Sequence, residues 1–327
     1  MHTSFYDPAR TYPELGDLDV RPMPIDRIGL LRAHHRVAFP LLAPSFSATR
    51  IDADVTLCST AGWSHGVHST GPKVAYWYAP ARWLHQLDQY AGSRRVMRLG
   101  ARALAPALGP WDRRAVAGVS RHLALSTVIR RRLEDIYRVD VELLAPPSIF
   151  GTEGPVEEHG IEPGYLLCVA RLLPYKNVDV VIEAARRVGA RLVVVGRGPE
   201  ADRLRASAPA TTTFLEGVPD AQLRALYRDC HALVAAAYED FGLTPLEAAA
   251  FGRPSAVLAG GGFLDTVVDG ATGVMFATPD PDAVAAALRR VLDERWDPAV
   301  LRARSGEFSE AAFAARLRTV VSEVADG

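Results

Sequence analysis

Lysine is nearly missing from this chain. Lys73 and Lys176 are the two in 327 residues, and arginine supplies the rest of the positive charge. Composition therefore does not explain a lysine at position 176. Cysteine is scarce as well. Cys58, Cys168 and Cys230 are odd in number and sit in apolar runs, which argues against a disulfide framework or a cysteine-held metal and for reduced core thiols. No apolar run approaches the roughly 20 residues that a membrane-spanning helix needs. The N-terminus shows no charged-then-apolar export signal, so a soluble protein of the cytoplasm is expected. The formal net charge of -1 gives no footprint for nucleic acid. Its distribution is uneven, because residues 92–138 hold eleven arginines against Asp112, Glu134 and Asp135. A solvated helical face is the commoner meaning of such a run, and peripheral contact with an anionic membrane is the functional one.

What is present is an alternation. From about residue 163 onward, short apolar runs at 165–171, 191–196, 212–218, 231–237 and 255–259 read as buried parallel strands. Amphipathic stretches at 178–188, 220–229, 244–251 and 281–292 read as helices between or after them. That order predicts a doubly wound parallel sheet with helices on both faces. The first half is less regular. Residues 54–59 and 73–78 read as buried strands, and 114–121 and 139–144 suggest two further elements. Pro146-Pro147 and the glycines at 151 and 154 form a breaker-rich linker, so the domains are placed at 1–155 and 156–327. Residues 1–21 are polar, rich in Asp and Pro, and offer no apolar strand followed by a Gly-rich turn, the unit that normally opens a nucleotide-binding domain.

The densest chemistry lies in Tyr238-Glu239-Asp240-Phe241-Gly242-Leu243-Thr244-Pro245-Leu246-Glu247. Two carboxylates eight positions apart flank a Gly turn that opens onto a helix. Thr244 reads as its N-cap, Pro245 as its first turn and Gly252 as its end. The plain alternative is a capping box in which Glu247 closes back on its own helix. Upstream, Arg171 and Lys176 follow a strand, and Gly196-Arg197-Gly198-Pro199 follows the next. Ligands of open α/β sheets bind at those carboxyl ends. A guanidinium fork and a compact ammonium both suit phosphate oxygens there. Asp52-Ala53-Asp54, despite its metal-site look, reads as a strand-entry turn.

These three loops, in this order and spacing, resemble the donor domain of glycosyltransferase family 4. Gly260-Gly261-Gly262 and Asp269-Gly270-Ala271-Thr272-Gly273 continue the likeness over nearly all of 163–325. The resemblance implies an α/β GT-B fold, two Rossmann-like domains facing a cleft, with the first short of its opening strand and Gly-rich turn. It implies a retaining, metal-independent hexosyltransferase without a cofactor, whose donor is a nucleotide sugar. The variant Arg171-Leu172-Leu173-Pro174-Tyr175-Lys176 is most similar to mannosyltransferase-type members, which implies GDP-mannose as donor. A glycan or lipid-linked acceptor in polysaccharide or glycolipid synthesis, met at the inner membrane face, would follow. Arg171 and Lys176 would hold the diphosphate, Glu239 the sugar hydroxyls and Glu247 the ribose. Gly196, Gly198 and the amides of Gly242, Leu243 and Thr244 would line the donor. On the acceptor side, Tyr76-Trp77-Tyr78-Ala79-Pro80-Ala81-Arg82-Trp83 resembles the family's motif, with Tyr78 where a histidine is usual. His65 and Arg82 are further acceptor-side candidates. A non-catalytic nucleotide-sugar-binding or scaffold protein is the alternative that Tyr78 and the short first domain motivate. Epimerases and phosphorylases of similar architecture rank behind it.

Overall fold

Glycine, proline or charge stops each apolar run after a few residues, and the strands are correspondingly short. The computed structural model describes residues 1–33, 38–86 and 95–327. Two compact units emerge. One holds residues 1–125, 129–144 and 317–327, the other 126–128 and 145–316. The division expected at 155/156 thus falls at 144/145. Residues 150–151 already belong to the second unit, where Arg224 donates from Nε to the Gly151 carbonyl at 3.2 Å and lies over the Phe150 ring. The final residues group with the first unit, where Arg121 donates to Glu323 at 2.8 Å.

The first unit is built on a parallel sheet of β1 (Thr56–Thr60), β2 (Lys73–Trp77), β3 (Arg121–Ala124) and β4 (Glu142–Leu143), side by side in that order. Residues 54–59, 73–78 and 139–144 hold β1, β2 and β4 as expected. The stretch 114–121 is not one element. Helix α1 (Arg95–Ala117) ends inside it, a turn follows, and β3 starts at Arg121. Ahead of β1, residues 1–22 form short 3-10 turns and two paired two-residue strands, His2–Thr3 and Arg21–Pro22. The sheet is flanked by an aromatic cluster in which Trp63 stacks on Trp83 with centroids 4.5 Å apart, and Leu108 and Trp111 of α1 pack against it. The arginine-rich run spans α1 and α2 (Thr127–Tyr137), and Arg113, Arg114, Arg131 and Arg138 are exposed. Residues 92–94 of that run lie outside the described residues.

In the second unit the six strands are β5 (Leu166–Val169), β6 (Leu192–Val195), β7 (Thr212–Leu215), β8 (Ala232–Ala235), β9 (Ser255–Leu258) and β10 (Gly273–Phe276). All are parallel and lie in the order β7-β6-β5-β8-β9-β10. Side chains alternate between two cores, as the pleat requires. Leu166, Cys168, Val194 and Val234 face one way, toward α3 (Val178–Arg187) and α6 (Pro281–Asp293). Leu167, Val193, Val195 and Leu233 face the other, toward α4 (Asp220–Asp229) and α5 (Thr244–Ala250). Every apolar run expected as a strand here is one. Strand β10 and the helices Ala201–Ser207, Phe263–Thr266 and Pro298–Gly306 are additions. All three cysteines are buried and unbonded. Burial pushes the thiol of Cys58 up to about 11 and those of Cys168 and Cys230 up to about 12.

Candidate active site

The strand order reverses between β5 and β8. At such a switch point the connections run off in opposite directions and leave a crevice at the carboxyl ends of the strands. The loop after β5 carries Arg171 and Lys176, and the loop after β8 carries Glu239, so the sheet brings these residues together. Lys176 Nζ donates to Glu239 Oε1 in an ion pair whose side chains are 10% and 28% exposed. The backbone under Lys176 is tied across the same gap. Asn177 takes a left-handed conformation, φ 51° and ψ 37°, and its side-chain amide donates to the Ala236 carbonyl at 2.9 Å. A left-handed asparagine is uncommon but tolerated where its side chain bonds locally. Arg171 remains exposed and donates to the Tyr175 hydroxyl at 3.2 Å.

Glycines bring the neighbouring loops into backbone contact. A Cβ at Gly198 would lie 2.2 Å from the Leu172 carbonyl oxygen, so the turn after β6 can lie against the loop after β5 only with hydrogen there. The Leu172 amide donates to the Arg197 carbonyl across that contact at 2.9 Å. On the other side Gly261, at φ +64°, would place a Cβ 2.2 Å from the Glu239 carbonyl oxygen. The Gly262 amide donates to that same carbonyl at 2.8 Å. The backbone of Glu239 is thus held from the loop after β9, and its carboxylate from Lys176.

Helix α5 begins differently from expectation. Leu243 is the capping residue and no side chain caps it, so Thr244 is the first helical residue rather than the N-cap. The capping box does not form either. The Glu247 amide donates to the Leu243 carbonyl at 3.0 Å, but the Glu247 carboxylate accepts from the Tyr227 hydroxyl at 2.5 Å. Burial raises the Glu247 carboxyl above its ordinary value, and the tyrosine bond opposes the rise. Gly242 precedes the helix at φ +97°, and Gly252 follows it at φ +70°, as a C-terminal stop should.

In the first unit, Tyr78 and Arg82 are exposed just past the carboxyl end of β2, a position suited to meeting a ligand. His65 is not so placed. It is wholly buried, with Nε2 3.0 Å from Asp112 Oδ1 and Nδ1 3.2 Å from the Thr60 hydroxyl. Asp112 is also wholly buried and accepts from the Tyr137 hydroxyl at 2.7 Å. Both ring nitrogens of His65 are committed to packing the unit, which removes it from the acceptor-side candidates. Burial pushes the Asp112 carboxyl up, but hydrogen bonds from His65 and Tyr137, and the His85 ring 3.7 Å away, bring it below its ordinary value. Asp52 accepts from the Thr70 hydroxyl at 2.9 Å, in keeping with a strand-entry turn.

Residues 155–310 match the family model "Glycosyl transferases group 1". That match falls within the second unit. Among curated relatives, glycogen synthase of Thermus thermophilus is 34% identical over 176 residues, 51% of this chain and 40% of that protein. Glycogen synthase of Mycobacterium tuberculosis is 37% identical over 154 residues, 44% of this chain and 36% of that protein. D-inositol 3-phosphate glycosyltransferase of Corynebacterium glutamicum is 32% identical over 209 residues, 56% of this chain and 50% of that protein. The chain therefore spans half or less of the length of these relatives. Two solved structures resemble it over most of its length. Lipopolysaccharide outer core galactosyltransferase WaaB in its apo form superposes with TM-score 0.62 at 16% identity, over 94% of this chain and 85% of that one. Sucrose-phosphate synthase of Thermosynechococcus elongatus does so with TM-score 0.63 at 18% identity, over 93% and 83%. These likenesses show the fold, which is GT-B as the motifs imply.

Within the matched residues, Lys176 and Glu239 pair at the switch point, and Arg171 lies on the same loop as Lys176. Sequence reasoning missed two supporting residues, Asn177 next to Lys176 and Tyr227 on Glu247. Asn177 looks like an ordinary helix-preceding residue, and its left-handed backbone is invisible until the loop is built. Tyr227 falls on the apolar face of α4, where an aromatic reads as core.

Proposed function

We propose that this protein is a retaining hexosyltransferase that moves a sugar from a nucleotide donor to a glycan or lipid-linked acceptor. The observation that carries the reading is the Lys176–Glu239 pair at the switch point, with Arg171 beside it. When a glycosidic bond to phosphate breaks, positive charge builds on the sugar ring and negative charge on the leaving diphosphate. Arg171 and Lys176 are fixed cations for that second charge, already oriented before the donor arrives. Glu239, clamped by the Gly261–Gly262 backbone, takes the sugar hydroxyls, and Glu247 takes the ribose. Amides of Gly242, Leu243 and Thr244 face the donor beside the glycine turn at 196–198. The acceptor hydroxyl gives its proton to the leaving phosphate, so no protein nucleophile and no metal is needed.

Tyr78 and Arg82 are proposed for the acceptor side. The arginines on α1 and α2 are proposed to touch an anionic membrane surface from the cytoplasmic side, where lipid-linked acceptors lie. Among the described residues no helix is long and apolar enough to cross a membrane. The motif variant through Lys176 supports GDP-mannose as donor. The names of the relatives keep glucose and other sugars in play. A thermal-shift series with GDP, UDP and ADP and their sugars separates these donors. A ligand at a hundredfold excess over its Kd stabilises by about 2.7 kcal/mol, so the preferred base stands apart. Donor binding without nucleotide release across a broad acceptor panel would turn the reading to the non-catalytic alternative.

A further inference from the structure

Glu247 is held in a way that its motif does not announce. Its Oε2 accepts from the hydroxyl of Tyr227, twenty residues earlier on α4. The Tyr227 ring is wholly buried. It stacks on Phe251 at 5.8 Å and 11° and leans on Phe150 at 5.8 Å and 51°. Its backbone carbonyl accepts from the Cys230 thiol. These contacts confine the ring, and its hydroxyl is directed at Glu247. That bond uses one carboxylate oxygen and leaves the lone pairs of Oε1 outside it.

The other elements packed on α5 bring little charge to this point. Strands β8 and β9 contribute only alanine, leucine, valine and serine. In the turn of helix Phe263–Thr266, the Asp265 carboxylate is taken up by the amide and hydroxyl of Thr127. Arg302 of helix Pro298–Gly306 lies against Gly252, at the far end of α5. Tyr227 is the titratable group bonded to the Glu247 carboxylate.

We propose that Tyr227 is a positioning residue for nucleotide recognition, whose hydroxyl fixes the rotamer of Glu247 and keeps it an acceptor for the two ribose hydroxyls of the donor. This rests on the ribose role proposed above for Glu247. A carboxylate is acceptor-only and suits a vicinal diol, which offers two donors; a protonated carboxyl suits it less. Without the phenol, burial acts on Glu247 unopposed, so the carboxyl protonates at higher pH and nucleotide affinity falls off earlier on the acid side.

The test is calorimetric titration of GDP, UDP and ADP into the full chain, as wild type, Tyr227→Phe, Glu247→Gln and the double variant, from about pH 5 to pH 8. The 2′-deoxy counterpart of the tightest nucleotide is titrated alongside. Tyr227→Phe keeps the ring and is expected to weaken binding about tenfold at neutral pH. It should move the acid limb upward, raise the donor KM and leave kcat nearly unchanged. The loss should vanish in the Glu247→Gln background and shrink with the deoxy ligand. Wild type should release protons on binding at the acid end, read in two buffers of different ionisation enthalpy; that readout does not depend on any variant folding. Wild-type affinity in Tyr227→Phe, with Glu247→Gln weakened, overturns the role of Tyr227 and leaves the ribose reading intact. Wild-type affinity in Glu247→Gln overturns the ribose reading and this inference with it. An equal loss in both backgrounds assigns Tyr227 to packing and overturns the inference alone.

Discussion

Each unit bonds a carboxylate to a tyrosine, one wholly buried and one half-buried, and the two carboxylates respond in opposite directions. Asp112 in the first unit accepts bonds from His65 and Tyr137, with the His85 ring nearby, and ends below its ordinary value. Glu247 in the second has Tyr227 against burial and ends above it. A carboxylate with several donors is a finished piece of structure. A half-buried carboxylate that desolvation holds above its ordinary value is of the kind found at ligand sites. The same contrast separates His65, enclosed on both nitrogens, from Lys176 and Glu239, which keep some exposure at a sheet edge.

The largest way to probe this contrast is Asp112→Ala. It leaves His65 and Tyr137 buried without their shared acceptor, and should cost about 3–5 kcal/mol of stability. Denaturant unfolding reads the loss, and nucleotide affinity of the folded fraction should be unchanged. A variant of near-native stability would mean that the network is not structural. Next, Lys176→Ala should cut transfer by about 10²–10³ while the thermal midpoint moves little. Full activity would remove Lys176 from the site.

The smallest expected effect is the sharpest. The folded protein binds the Glu247 proton more tightly than the unfolded chain does. That contribution to stability is complete at low pH and is lost as pH rises through the folded value. At neutral pH this half-buried charge therefore weakens the ligand-free fold. Glu247→Gln should stabilise it by about 1 kcal/mol, and the gain should shrink as pH falls. Asp112 runs the other way. Its stabilisation is present above the ordinary carboxylate range and is lost as pH falls through its lowered value. Destabilisation by Glu247→Gln at neutral pH would make the two carboxylates alike and dissolve the comparison.

Much of the second unit was legible because its strands are buried on both faces and so read as unbroken apolar runs. Strand β10 escaped because Gly273–Phe276 opens on the glycine of a glycine-rich turn. The first unit was harder. Residues 114–121 straddle a helix end and a strand start, and the apolar Val116-Ala117-Gly118-Val119 among them belongs to the helix end and the turn, not to the strand. At the site, the charged loop residues could be located from their place after each strand. What sequence could not supply was partnership. The bond between Tyr227 and Glu247 joins two helices on one sheet face, and the enclosure of His65 depends on Asp112, 47 positions away. Thr244 illustrates a local failure. It has a good capping side chain, but the Gly242 turn lets Leu243 take the capping position without one.

The buried cysteines give the two units separate clocks. Thiols held at about 11 and 12 inside the core are nearly all protonated at neutral pH and out of reach of an alkylating reagent. The folded chain should therefore be silent to such a reagent, with each thiol becoming reactive only when its own surroundings open. Cys58 belongs to the first unit, and Cys168 and Cys230 to the second. Pulse labelling followed by peptide mass analysis would time the opening of each unit in the unaltered protein, without a probe or a substitution.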